Sequence, residues 1–428
     1  MPASYAIIWF RRDLRLHDNP AVAAAIESGL PLWPIYIHDD AAAFAPGAAS
    51  RWWLHHALQD LATELDNHDL KLTLFAGDTS EILKKLSVKS SRIFCNYTYE
   101  PGEESFIKKI GDKVSAHHGS VLFSPQSIKP YKVFTPFYNF CHKLERPKPL
   151  QVWLSYAKAG KGVDKGVVLG ELNLLPKENW AHGFYKFWKP TRAGGLARLK
   201  KMEAGQADYK KTRDLVFEDG TSMLSPYLAW GQLGPREVAE ELATDGALAR
   251  QLFWREFAIH TLYHHPHVGL GQPLKKEWTR FPWKENERLF EAWKRGQTGY
   301  PLVDAAMRQL WTIGWMHNRA RMVAGSFLVK HLLIPWQRGQ EWFWETLVDA
   351  DLANNSFGWQ WIAGCGADAA PYFRIFNPTL QKEKFDPDET YCKQWIPELG
   401  TAKYPKPIVT AQKGREAALA AYKKFKKK

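Results

Sequence analysis

Thirty residues towards the C-terminal end, 349–378, DADLANNSFGWQWIAGCGADAAPYFRIFNP, gather the side chains best suited to hold a polar aromatic ring. Asp349 and Asp351 can accept hydrogen bonds from ring N–H groups, and Asn354 and Asn355 can donate and accept beside them. Trp359 and Trp361 offer flat π surfaces. A heterocycle with polar edges suits such a set in a dry pocket, where each buried donor or acceptor left unmatched costs ~1–3 kcal/mol. The segment reads as a flavin site next to a nucleobase-binding surface.

Composition narrows what such a site could serve. A net charge of +13 makes a polyanion a natural partner, because each neutralised phosphate releases counterions, although charge alone can also be a solubility feature. Of 20 tryptophans, thirteen lie at or beyond Trp230, and most of these should simply fill core volume. The four cysteines, Cys95, Cys141, Cys365 and Cys392, are too scattered for a CxxC pair, which points to a reducing, cytoplasmic setting without a zinc site. The His-rich HTLYHHPHV at 260–268 lacks an accompanying acidic ligand pattern, so no metal is expected there. No stretch reaches the ~18 consecutive apolar residues of a membrane span, and the first ten residues lack a basic flank ahead of an apolar run, so no secretory leader is expected.

The site needs a scaffold, and the chain divides into three parts. Residues 1–128 alternate short apolar runs, YAIIWF (5–10), LWPIYI (32–37), LKLTLF (70–75), RIFCNY (92–97) and SVLF (120–123), with helical patterns at Pro20–Ser28 and Ala48–His68. This predicts an α/β domain with a doubly wound parallel sheet, lacking the GxGxxG of a dinucleotide fingerprint. Residues 129–190, without clear period, predict a connection running over the surface. Residues 191–428 read as helical almost throughout, with helices over Pro235–Leu242, Leu248–Tyr263, Tyr300–Arg308 behind Gly299, and Asn318–His331. The tail YKKFKKK from Tyr422 reads as disordered.

Five segments in order, WFRRDLRLHDNP near the start, DGTSMLS at 219–225, FWREF at 253–257, TGYPLVDAAMRQLWTIGWMHNRARM at 298–322 and the 349–378 block, resemble the photolyase/cryptochrome family, and the match spans nearly the whole chain. The resemblance implies that the C-terminal all-α domain holds FAD in a bent form. In DGTSMLS, Thr221, Ser222 and Ser225 bring hydroxyls, and with Met223 and Leu224 backbone N–H groups, to the start of a helix, where phosphate is favoured. Tyr209 is a further family contact, Arg255 and Arg321 are charge partners, and Arg321 is expected to pair with Asp349. Asp351 is expected at the polar edge of the isoalloxazine and Asn355 at its N5. An amide there leans towards repair, a carboxylic acid towards plant sensory cryptochromes. By motif position, Trp359, Trp336 and Trp283 match an electron relay from flavin to surface.

The same resemblance implies a light-driven lyase in which reduced FAD lends an electron to a flipped-out cyclobutane pyrimidine dimer in DNA. Trp254 and Trp361 are expected to stack on the extruded bases, where each stack is worth roughly 1–3 kcal/mol. Asn318, Arg319 and Met322 should contact base edges or the intervening phosphate, with Arg213 and Gln381 as further DNA contacts. Enzymes for the (6-4) photoproduct carry histidines where this chain has Asn318 and Met322, so the dimer is the expected lesion. Gln251 replaces the glutamate that many class I relatives carry, leaving class I and class III both open. The alternative activity is a blue-light sensory cryptochrome without repair. An antenna chromophore is expected, with methenyltetrahydrofolate one identity and Glu103 near its place in folate-binding relatives. The protein is expected to act as a monomer.

Overall fold

A computed structural model describes residues 5–427 apart from 90–91, 161, 163, 206–207, 244–245 and 370–372. Five strands, β1 (Ala6–Phe10), β2 (Leu32–His38), β3 (Thr73–Ala76), β4 (Arg92–Asn96) and β5 (Val114–His117), form one parallel sheet in the order β3-β2-β1-β4-β5. Alternate side chains of a strand face opposite sides. Ala6, Ile8 and Phe10 enter a core with Trp52 and Leu58, whereas Ile7 and Trp9 enter a second core with Trp33 and Ile35. Helices cover both faces, which is why these strands read as unbroken apolar runs.

The fifth strand is not SVLF but VSAH, 114–117. The apolar residues at 121–123 serve the seam between the domains. Val121 is buried against Ala258, Ile259 and Leu262, and the N–H groups of Leu122 and Phe123 donate to Glu256 Oε2 at 2.8 and 3.4 Å. β5 lies at the sheet edge and is half-buried, so it needs no apolar run.

The WFRRDLRLH segment is a second part of that seam. Arg12 donates to Ala350 O at 3.0 Å and lies over Trp230, while the fully buried Arg15 donates to Gly231 O, Asp18 O and Gly119 O. The connection is ordered rather than a bare surface loop. It contains the helices Phe134–Cys141 and His182–Phe187 and touches the sheet through bridges at Leu32–Ala159 and Leu74–Val167.

Helices dominate beyond it: Ala249–His264, Pro301–Ile313, Asn318–Ser326, Trp336–Thr346, Leu352–Ala363 and Ala411–Lys426. Residues 327–331 continue the fourth expected helix as a single π-helical turn. The start of Pro301–Ile313 is fixed by Asp304, whose carboxylate accepts from both Thr298 donors and from the Gly299 N–H. The tail expected to be disordered is instead the end of the last helix. Phe425 is buried, and Tyr422 stacks on Phe373 with centroids 4.6 Å apart. Gly414, Ala418, Tyr422 and Phe425 recur at helical spacing, a pattern that the surrounding lysines mask. Lys428 lies outside the described residues.

Glu256 gives the seam a pH dependence. Its side chain is fully buried, accepting the two N–H groups above and an N–H from Arg255 at 3.3 Å, with Tyr99 and Cys141 as the other titratable neighbours. Burial pushes its carboxyl up to about 7 against the pull of Arg255. Between the ordinary value of 4.5 and about 7 the folded protein therefore binds more protons than the unfolded chain, and this group's contribution to stability declines as pH rises through that window. Glu256→Gln is expected to remove the slope, about 1.4 kcal/mol per pH unit. Wild type should gain in Tm relative to the variant on acidification from about 7.5 to about 5. An equal Tm difference at both ends of that range would rule the effect out.

Candidate active site

The Leu352–Ala363 helix starts at Asp351, whose Oδ1 accepts from the Asn354 N–H at 2.7 Å and from Asn354 Nδ2 at 2.6 Å. Asn354 is thus spent on the helix start and exposed, rather than turned to a ring beside Asn355. Asn355 Nδ2 donates to Gln340 O at 3.0 Å, and because a carbonyl can only accept, this fixes the face of the amide. Asp349 is buried, with Oδ2 on Arg321 Nη2 at 2.7 Å. Arg321 Nε donates in turn to Met316 O at 2.7 Å. The neighbouring Trp315 donates to Ser225 Oγ at 3.2 Å, which ties the 219–225 loop to this ion pair.

Around that loop, Tyr209 is buried with the Arg213 guanidinium over its ring, Thr221 and Ser222 are half-buried, and Leu224 is buried. Met223 has a φ of +52°, uncommon for a residue with a β-carbon and a sign that the turn is held by its surroundings. The helix that follows, Ser225–Ala229, has only five residues, so the loop's hydroxyls and N–H groups matter more here than a long helix dipole. Arg255 donates to Ser120 O at 2.8 Å and to Glu256, which engages it in the domain seam.

Two buried acceptors in this region, Asp349 Oδ1 and Gln340 Oε1, have no hydrogen-bond partner in the protein. A buried carboxylate oxygen left so is expensive. The donor set around it, hydroxyls, a guanidinium and fixed amides, matches a ligand carrying ring N–H groups, hydroxyls and phosphate. FAD fits these residues.

The three tryptophans expected to form a relay come from separate segments that share one core cluster. Trp359 is 2 % exposed, held edge-on by Phe343 at 4.9 Å and Trp293 at 6.1 Å. Its ring lies against Gly339, where an added β-carbon would stand 2.1 Å from Cη2. Trp336 precedes Gly339 by three residues, hence on the same helix face, and is 1 % exposed. Trp283 is half-buried, and the Lys284 N–H donates to Leu333 O at 2.8 Å, which ties this segment to the entry of the Trp336 helix.

The substrate side consists of two clusters. Trp254, half-buried, stacks on Phe134 at 3.6 Å and 5°. The Phe134 N–H donates to Asp368 Oδ1, and Asp368 O accepts from Trp361 Nε1 at 3.1 Å, so one turn holds both indoles on a common rim. Arg374 lies over Trp361. In the second cluster, Asn318 Nδ2 reaches Met322 Sδ at 3.8 Å, and Arg213 and Arg319 share Asp214. Arg319 also covers Phe385, on the same helix as Gln381, whose Oε1 is buried without a partner. A small, open depression beside Trp361 is lined by Ser326, Lys330, Ile362, Gly364, Arg374 and Phe376, with Ser326 one turn beyond Met322. Gln251, three residues before Trp254, donates to Ala247 O in the turn that precedes their helix.

His317, next to Asn318, is buried, and its Nδ1 accepts the Arg319 N–H. Burial pushes the imidazole down to about 4, so it stays neutral and is no acid for a bound lesion. His260 and His264 bond to Phe123 O and Ile128 O, as structural histidines do. Glu103 does not fit the antenna role considered for it. It is buried on Arg11 Nη1 at 2.6 Å and accepts from the N–H groups of Thr98 and Tyr99, which leaves no carboxylate edge for a folate. Phe134, Asp368, Gln340 and Lys330 escaped the sequence reading, since each is recognisable only by what it touches. Tyr372, within the 349–378 block, lies outside the described residues.

A family profile described as DNA photolyase matches residues 6–152, and one described as FAD binding domain of DNA photolyase matches 248–403. A deoxyribodipyrimidine photo-lyase of Agrobacterium fabrum is 38 % identical over 98 % of both chains. Cryptochrome-2 of Arabidopsis thaliana is 34 % identical over 92 % of this chain and 70 % of its own. The crystal structure of a class III photolyase from Agrobacterium tumefaciens superposes with a TM-score of 0.93 at 38 % identity, covering 100 % of this chain and 99 % of that one.

Proposed function

The chain belongs to the photolyase/cryptochrome family, and from that membership we propose that it is a DNA photolyase of class III type that reverses cyclobutane pyrimidine dimers. The observation that carries the choice of substrate is the rim on which Asp368 holds Trp254 and Trp361 together, both half-buried. Two flat indoles on one rim suit a pair of bases taken out of the stack, a step costing a few kcal/mol and least where pairing is already damaged. When bound, reduced FAD excited by blue or near-ultraviolet light would lend the electron that opens the cyclobutane ring and take it back once the pyrimidines separate, so that repair is redox-neutral.

The chain's own residues bind, orient and exclude water. Asp349, Arg321, Asp351, Asn355, Tyr209 and the loop from Thr221 to Ser225 hold the cofactor, with Arg255 bracing it from the domain seam. Asn355, its amide fixed by Gln340 O, presents a neutral group where plant sensors carry an acid. Trp254 and Trp361 stack on the lesion, Met322 gives a soft contact, and Gln251 and Asn318 hydrogen-bond base edges. Arg213, Arg319 and Gln381 meet the backbone. Neutral, buried His317 supports the dimer over a lesion that requires proton transfer. The second reading, a sensory cryptochrome, draws on the Arabidopsis relative, but its identity is lower than that of the photo-lyase.

Illumination of reduced protein with an oligonucleotide carrying one thymine dimer, against a dark control and a (6-4) substrate, tests the activity. Intact thymines from the dimer alone are expected. Unchanged dimer with FAD bound would transfer the reading to a sensor. For the relay, Trp336→Phe should slow photoreduction of oxidised protein at least tenfold while chemically pre-reduced protein repairs at the wild-type rate, about one decade per 1.4 kcal/mol. Equal loss of both would remove Trp336 from the electron path.

A further inference from the structure

The last helix ends in a strongly basic turn. Lys423, Lys424, Lys426 and Lys427 are exposed, and among the described residues no ion pair involves any of them. The helix's own acid, Glu416, accepts from Gln412, and Glu277 is an exposed acid on the neighbouring turn that carries Trp278. Contacts fix where this basic end points. Lys426 Nζ lies 5.7 Å from the centroid of Tyr422, and Tyr422 stacks on Phe373 at 4.6 Å and 7°. Phe373 adjoins Arg374, which lines the depression and covers Trp361. From behind, buried Lys330 presses its Nζ to 3.5 Å from the Phe373 centroid and donates to Ala363 O at 2.6 Å. The docked position is also set by Gly414, where an added β-carbon would meet the His331 ring at 2.7 Å. The lysine-bearing turn is thus joined through Tyr422, Phe373 and Arg374 to Trp361 on the rim.

We infer that Lys423, Lys424, Lys426 and Lys427 form a DNA-backbone contact that grips the duplex beside the lesion and adds sequence-independent affinity. This inference rests on the DNA reading above and extends its footprint past the lesion pocket. The four residues span about 6 Å of helix axis. That covers about two phosphates of one strand, each taking ~3.4 Å of duplex axis. Lysines in a last helical turn also complement the helix dipole, which accounts for stability but not for a salt-dependent affinity.

Binding of a short duplex, with and without a thymine dimer, is measured by fluorescence anisotropy between ~50 and ~200 mM salt, for wild type and for K423Q/K424Q/K426Q/K427Q. The logarithmic salt slope of the variant is expected to be shallower by about 2 on both duplexes, so wild type loses about tenfold more affinity across that range. Repair at saturating dimer DNA and visible flavin absorbance should match wild type. A control with equal charge change on the N-terminal domain, K71Q/K84Q/K108Q/K109Q, should keep the wild-type slope. An unchanged slope in the C-terminal variant, or an equal change in the control, overturns the inference while leaving repair intact. Failure of wild type to repair the dimer would instead overturn the reading on which it rests.

Discussion

A single methyl group at position 339 is expected to push Trp359 out of its place. Gly339 lies on the Trp336–Thr346 helix, and a β-carbon there would stand 2.1, 2.5 and 2.6 Å from Cη2, Cζ3 and Cζ2 of that indole. The ring cannot retreat, because Phe343 and Trp293 hold two sides and Gly325 approaches a third, where its own added β-carbon would stand 3.5 Å from Cζ3. Overpacking of this kind costs about 1–3 kcal/mol, sometimes more. Alanine's helix propensity returns up to ~1 kcal/mol. For Gly339→Ala we expect a net loss of about 2 kcal/mol, read as a fall in Tm of roughly 2 °C. Photoreduction should slow with it. In the double variant Gly339→Ala, Trp359→Phe the smaller ring clears the methyl and stability should recover beyond additivity, while photoreduction stays lost. Two substitutions that add within ~0.5 kcal/mol would mean that the side chains do not meet.

Asp349→Ala should strip the protein of its cofactor. The carboxylate is buried while its partner Arg321 keeps 24 % of its side-chain exposure, so the pair is only partly desolvated. Breaking one side of a buried pair costs about 3–5 kcal/mol, and access of water to Arg321 places the loss at the lower end. The pair also anchors Trp315 and, through it, Ser225 of the proposed phosphate loop. A loss of about 3 kcal/mol in cofactor affinity is a factor of roughly 150 in Kd. Asp349→Asn keeps the shape and one acceptor for Arg321 but loses the charge, so it should retain more flavin than the alanine variant. The ratio of visible to protein absorbance after purification measures both, with flavin titration giving Kd. Wild-type flavin content in the alanine variant would show that Asp349 does not hold the cofactor.

Much of this arrangement was legible before any coordinates. Local signals carried the elements. Apolar runs gave β1 to β4, the pattern at Pro20–Ser28 gave the helix Pro20–Glu27, and helical spacing over Ala48–His68 gave the helix Ala48–Asp66. Two local readings failed for one reason. SVLF at 120–123 has the composition of a buried strand, but its burial is against helix Ala249–His264. The YKKFKKK tail has the charge of a disordered end, but Tyr422 and Phe425 are buried by partners some fifty and 147 residues away, Phe373 and Trp278. Composition reports how much apolar surface a segment carries, not what covers it.

The site divides in the same way. Residue type and motif order in the sequence singled out Asp349, Asp351, Asn355, Trp254, Trp359 and Trp361, because a heterocycle needs matched polar edges and flat faces whatever the scaffold. Only the tertiary structure decided that Glu103 is consumed by Arg11, and that Phe134 and Asp368 bind two distant indoles into one rim. Those outcomes depend on pairings between residues tens to hundreds of positions apart. A side chain's chemistry is local and can be read from the chain, whereas its partner, and therefore its availability to a ligand, is set by packing.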